Sequence, residues 1–242
     1  MPHAILICLL ILAAVLSPVR STEATAPFSE NILQHVAKEY GVNAEKRLRL
    51  FNTLILNNFD KPVREKLDLV NTTVNKLPWL TDQQHWKQAD YWATPLETLT
   101  TFGGDCEDIA IAKWIFLRFM GISDKHLRLA YVKIKRTGES HMVLLYIENP
   151  QAAPEQQRPL VLDNTIADVK KSTERKDLLA VYIFDFNGNV ILFTDSGTER
   201  SISGVYEQRN LKKLNDLKKM ISGSRKKYKE LNDGRPLLPE NY

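Results

Sequence analysis

A chain of 242 residues, 43% hydrophobic and 26% charged, can bury a sizeable core, and its length suits one medium domain with helical appendages. The net charge of +4 is too small to point to nucleic acid as a partner; the excess gathers between Arg209 and Lys229, where a solvated helical face accounts for it. Zinc-type Cys/His clusters, a phosphate-binding glycine loop and internal repeats are missing from the sequence, which removes those classes of function.

Ala4 to Leu16 is an unbroken apolar run, too short for a bilayer span and suited to the core of a secretory signal. Ala24-Thr25-Ala26 resembles a cleavage site. Residues 1–26 are therefore expected to be a signal peptide with a short linker, and residues 27–242 a single exported domain. No later segment is apolar and long enough for membrane insertion once the signal is removed. Cys8 lies inside the signal, so the mature chain would keep one cysteine, Cys106. Exported proteins use cysteine mostly in disulfides; a lone one is either an inert core residue or a thiol retained for chemistry.

Apolar residues recur at helical spacing from Phe28 to Asn57, with Gly41 as a break, and again from Pro62 to Leu77. Trp79 to Thr101 has no clear period and reads as an ordered loop with short helical pieces, folded against the core by its aromatics. Glu107 to Met120 is a strong helix with a wide apolar face, closed by Gly121. The period then changes to two. Leu129–Lys135, His141–Glu148, Leu160–Asn164, Val181–Phe186 and Val190–Phe193 are predicted strands, with Asn187-Gly188 as a tight hairpin between the last two. Leu211–Leu231 returns to a basic C-terminal helix. Helices, then sequential strands, then a helix define an α+β domain with an antiparallel sheet.

Asp105 is a good N-cap, which places Cys106 at the first position of the helix, beside unpaired backbone N–H groups. Their partial positive charge favours thiolate, and they can hold an oxyanion. Gly103 and Gly104 leave the approach to the sulfur free of side chains. The plain alternative is a small apolar residue that starts a core helix. His141 opens a predicted strand and is placed to act as the base a thiol nucleophile needs. Asp163 ends the next strand and would lie beside His141 in an antiparallel pair, where a carboxylate fixes the imidazole tautomer; Asn164 is also placed for that role. Asp105, Glu107 and Asp108 suit a helix N-terminus, and Asp105 with Asp108 resembles a capping box. Carboxylates beside a thiol also oppose its ionisation, a conflict that a bound hard cation such as calcium would remove. Capping and metal binding both remain open on the residues alone.

Gly103-Gly104-Asp105-Cys106-Glu107-Asp108, followed by Ala110-Ile111-Ala112-Lys113, resembles the bacterial transglutaminase-like cysteine proteinases. Asp90-Tyr91-Trp92-Ala93-Thr94-Pro95-Leu96-Glu97 upstream, His141 before an apolar strand, and Leu162-Asp163-Asn164 are similar to that family too, so the resemblance spans roughly Phe28 to Leu211. It implies a papain-like or transglutaminase-like core with a triad of Cys106, His141 and Asp163. It also implies Ca2+ bound by Asp105 and Glu107, with Asp108 as a further matching acid. The implied enzyme is a periplasmic endopeptidase that cuts a large surface adhesin near its N-terminus at a paired-alanine site and so promotes biofilm dispersal. The implied regulator is a membrane receptor for cyclic di-GMP, whose periplasmic domain sequesters the protease. Two departures stand out: the polar insertion Asn149–Arg158 is long, and the stretch before the apolar leader carries little positive charge. Two rival functions use the same residues: acyl transfer or amide hydrolysis on another substrate, and a non-catalytic receptor-binding module with Cys106 in the core.

Overall fold

A computed structural model describes residues 25–185, 190–196, 199–206 and 212–236. The apolar leader and the Asn187-Gly188 turn lie outside the described residues.

The N-terminal half is helical. Ser29 caps α1 (Glu30–Tyr40) by accepting the Ile32 N–H, and Ile32, Leu33 and Val36 turn inward. Gly41, at φ 88°, separates α1 from α2 (Val42–Asn58), a reversal of the backbone that a side chain would resist. Pro62 precedes α3 (Val63–Val74), whose Leu67, Val70 and Val74 join the same core. The aperiodic stretch holds two short helices, α4 (Asp82–His85) and α5 (Pro95–Thr101). Each starts with a reciprocal capping box, Thr81 with Gln84 and Thr94 with Glu97. Trp92 packs inside, as expected of that stretch, but Trp79 does not and stays exposed.

At the centre lies α6 (Cys106–Phe119). Every residue from Glu107 to Leu117 is buried, so this helix has no solvent face and is wrapped on all sides. It packs on the sheet through β2 and is flanked by α3 and α5. The sheet has the order β4-β3-β2-β1-β5-β6-β7 and is antiparallel at each pairing. Its strands are β1 (Leu127–Ile134), β2 (Ser140–Tyr146), β3 (Leu160–Leu162), β4 (Lys170–Lys171), β5 (Leu178–Phe184), β6 (Val190–Ser196) and β7 (Glu199–Tyr206). The α+β expectation holds, and the sheet has two more strands, β4 and β7, than the periodicity indicated.

Alternation along the strands splits their side chains between two cores. Leu129, Met142, Leu144 and Leu162 meet the helices, while Ala130, Val132, Val143, Leu145 and Val161 form a smaller cluster on the other face. The C-terminal helix α7 (Lys212–Leu231) adds Leu217, Met220, Ile221 and Tyr228 to the main core and turns Lys218 and Lys219 outward. Asn232 beyond it ties the two ends of the domain together, accepting the Ser29 N–H at 2.7 Å and donating to the Pro27 carbonyl at 2.9 Å. Among the described residues no helix is long and apolar enough to cross a membrane.

Candidate active site

The approach to Cys106 is built by chain reversal and close backbone contact. Phe102 caps α5 in the left-handed conformation, φ 60° and ψ 59°, and turns the chain into Gly103-Gly104. These glycines run beside Pro78–Leu80: Gly104 N–H donates to the Pro78 carbonyl at 3.3 Å and Leu80 N–H donates to the Gly104 carbonyl at 3.0 Å. A Cβ on Gly104 would lie 2.6 Å from Asp108 Oδ2, so the glycine is required by packing as much as by access. Asp105 then caps α6, accepting the Glu107 N–H at 3.1 Å. The cap expected from the sequence is present, and the Asp108 carboxylate accepts from the Asp105 backbone N–H as well as, through Oδ1, from the Ala93 N–H at 2.8 Å.

The sulfur of Cys106 meets the edge of the sheet. Because β3 pairs only with Leu144–Tyr146, the β2 edge beside residues 141–143 carries no strand neighbour on that side, and the Met142 N–H points at the sulfur. His141 is the residue before Met142. It stands at the start of its strand, as expected, yet is only 5% exposed. Its Nε2 bonds Asp163 Oδ1 at 2.8 Å. Asp163 follows β3 and is fully buried, and it, not Asn164, makes this bond.

Asp163 is held from several directions. Thr165 N–H donates to Oδ1 at 2.8 Å, and Arg175 forms an ion pair with Oδ2 at 2.8 Å while bridging to Asp177 at 2.7 Å. Asn75, the C-cap of α3, donates to the Asp163 carbonyl, and Asn71 donates to the carbonyls of Ile166 and Ala167, so the loop that carries the carboxylate is anchored to α3 and its cap. Lys113 of α6 completes that support through Asn71 Oδ1 at 2.8 Å; burial pulls its pKa down to about 7. Burial alone would raise the pKa of Asp163, but the bonds from His141 and Thr165 and the charge of Arg175 hold it below the ordinary carboxylate range.

The nucleophile side has the opposite electrostatics. Burial, then the charges of Glu107 and Asp105, push the Cys106 thiol well above its usual pKa, and the thiol donates to Glu107 Oε2 at 3.0 Å. Burial and neighbouring carboxylates likewise raise Asp105 to about 9, and burial is the main cause that raises Asp108 to about 8. Oxygens of Asp82, Asp90 and Glu107 lie within 4.8 Å of one another, and so do oxygens of Asp82, Asp105 and Asp108. Asp108 Oδ2 is buried without a hydrogen-bond partner. Clustered oxygen donors with one buried oxygen unsatisfied fit a hard divalent cation. Asp105, Glu107 and Asp108 were legible as candidate ligands; Asp82 and Asp90 were not. They lie in the aperiodic stretch, 15 or more residues upstream, and only the fold of Trp79–Ala93 against the start of α6 brings them there.

Cys106, His141, Asp105, Glu107, Asp82 and Asp90 line one cleft, together with Trp79, Tyr131, Ser140 and Met142. A thiol at a helix N-terminus thus shares its cleft with an imidazole that is bonded to a buried carboxylate, the residue types that cysteine hydrolases use. The family model of the bacterial transglutaminase-like cysteine proteinases (BTLCP) matches residues 52–177, and the chain belongs to that family. Among solved structures it is similar to Legionella pneumophila LapG, with 28% identity, 79% of this chain and 94% of that chain covered, and a TM-score of 0.61. The EGTA-treated form of that protein matches at 30% identity over 78% and 95% of the two chains, and the calcium-bound form at 31% over 78% and 97%, each with a TM-score of 0.61. Curated protein sequences yield no match.

Proposed function

We propose that this chain is a calcium-dependent periplasmic cysteine endopeptidase whose triad is Cys106, His141 and Asp163. Its substrate is a large surface adhesin, cut near the N-terminus at a paired-alanine site, so that the adhesin is released and the biofilm disperses. The periplasmic domain of a membrane receptor for cyclic di-GMP restrains it. The observation that carries the catalytic reading is the 2.8 Å bond between His141 and the buried Asp163 in the cleft that also holds Cys106.

An ionised carboxylate can only accept, so His141 Nε2 carries the proton it donates to Asp163, and Nδ1 is the nitrogen left to take a proton from the thiol. Cys106 Sγ then attacks the scissile carbonyl, forming the C–S bond. His141 returns the proton to the departing amine as the C–N bond breaks, and water next releases the acid product from the thioester. The backbone N–H of Cys106, unpaired at the helix start, is placed to stabilise the oxyanion. Asp82, Asp90, Asp105, Glu107 and Asp108 would hold the calcium ion. Bound there, the ion supplies positive charge that offsets the carboxylates opposing thiolate formation.

The test is incubation of an adhesin N-terminal fragment with the protein, in calcium and in EGTA, beside Cys106→Ala. Cleavage in calcium alone, abolished by the substitution in a protein that still folds, is the expected result. Undiminished cleavage by Cys106→Ala would end the peptidase reading.

A further inference from the structure

Trp79 differs from the other three tryptophans of the chain. Trp114 and Trp92 are buried, and Trp86 is half-buried between His85 and Tyr91, whereas Trp79 is 57% exposed. A single exposed apolar side chain needs no explanation, so exposure alone assigns nothing. Position and fixation do. Trp79 lines the cleft that holds Cys106 and His141. Its backbone pairs with Gly104 in an isolated parallel bridge, and hydrogen bonds from the residues on either side of it lock Pro78–Leu80 to the segment that leads into the nucleophile. A Cβ on Gly103 would stand 2.7 Å from Leu80 Cδ1 and 3.1 Å from the Pro78 carbonyl, so the two segments are held as close as glycine permits. The indole thus projects from a rigid frame, since the bridge partner of Trp79, Gly104, lies two residues before Cys106 in the chain. Tyr131 of the same cleft is fixed too, stacked on Tyr182 with ring centroids 4.9 Å apart and bonded to Ser140 Oγ at 2.5 Å. Rigid aromatic side chains offer large contact area at small entropic cost, which is how peptide-binding surfaces use them.

We propose that Trp79 is a substrate-binding residue, a platform against which an extended peptide lays an apolar side chain beside the scissile bond. The proposal rests on Cys106 being the peptidase nucleophile. Its test separates the two by comparing two thiol reagents on the calcium-loaded protein: iodoacetamide, and a capped tetra-alanine chloromethyl ketone. Both lose a halide as the sulfur forms a bond to carbon, but only the second presents a peptide. Trp79→Ala is expected to slow the peptidyl reagent about tenfold, Trp79→Phe to recover most of that rate, and iodoacetamide to react alike with all three proteins. A peptidyl rate within twofold of the parent in Trp79→Ala would overturn the proposal, and so would an equal fall with both reagents, which would make Trp79 a support of the thiol. A Cys106 inert to iodoacetamide in the parent protein would instead sink the peptidase reading, and the platform with it.

Discussion

The two sides of the cleft solve the problem of buried charge differently. On the His141 side, Asp163 is fully buried yet ionised, because His141, Thr165 and Arg175 all engage its oxygens. On the Cys106 side, acidic groups gather around a thiol and push one another, and the thiol, toward their protonated forms. Protein groups alone compensate the first side; the second has the composition of a site completed by a cation. Under the proposed mechanism the base and its orienting carboxylate are ready in the fold, while nucleophile activation is the step open to control by a metal.

Breaking the compensated side should give the largest change. Asp163→Asn keeps the shape but replaces an acceptor-only carboxylate with a neutral amide that can also donate, so it no longer fixes the His141 tautomer or offsets its cation, and a loss in kcat on the order of 10³–10⁴-fold is expected, as in other triads. Steady-state cleavage in saturating calcium checks it; a loss below tenfold would mean that Asp163 does not orient His141. Arg175 comes next. Arg175→Met withdraws the ion pair from a buried carboxylate and should destabilise the fold by roughly 3–5 kcal/mol, read by denaturant unfolding, with cleavage falling about tenfold. Arg175→Lys should recover only part of either, because one ammonium cannot reproduce the fork that spans Asp163 and Asp177.

The smallest effect sharpens the contrast most. In EGTA, Asp105 and Asp108 hold protons in the fold up to about pH 9 and 8 but release them near the ordinary carboxylate value of about 4 when unfolded. The unfolded state then binds fewer protons across that window, so stability falls as pH rises from about 5 to about 8. Asp163, lowered in the fold, acts in reverse: its contribution is present above the unfolded value and is lost as pH falls through the acid range. Thermal melts across pH should show the upper slope in EGTA and its flattening in calcium. An upper slope that calcium leaves unchanged would argue against a cation among these carboxylates.

Much of this was legible in the sequence, because the pieces are local. Asp105 and Cys106 announce a capped helix start, and the apolar faces that follow are wide enough to identify α6 as central. His141 and Asp163 sit at the facing ends of short apolar runs, so an antiparallel β2–β3 pair brings them to the same end of the sheet. What escaped was long-range or short. Arg175 carries no local signal; it reaches Asp163 only because the loop after β4 folds back. Asp82 and Asp90 belong to a stretch without a period, held by caps and aromatics. The two-residue β4 is too short to alternate, and β7 is interrupted by serines and Gly204, which blur its apolar pattern. Trp79 belonged to a segment expected to pack inward on its aromatics, and its pairing with Gly104 is a long-range contact without a local signal.

The most direct test of the cleft's chemistry is the pH dependence of Cys106 alkylation by iodoacetamide, measured in calcium and in EGTA on the otherwise identical protein. With the carboxylates offset, the thiol should ionise at lower pH, so the calcium-loaded protein should react faster than free cysteine at neutral pH and the EGTA-treated protein more slowly. Superimposable profiles, both lagging free cysteine, would contradict a metal-enabled nucleophile at this helix N-terminus.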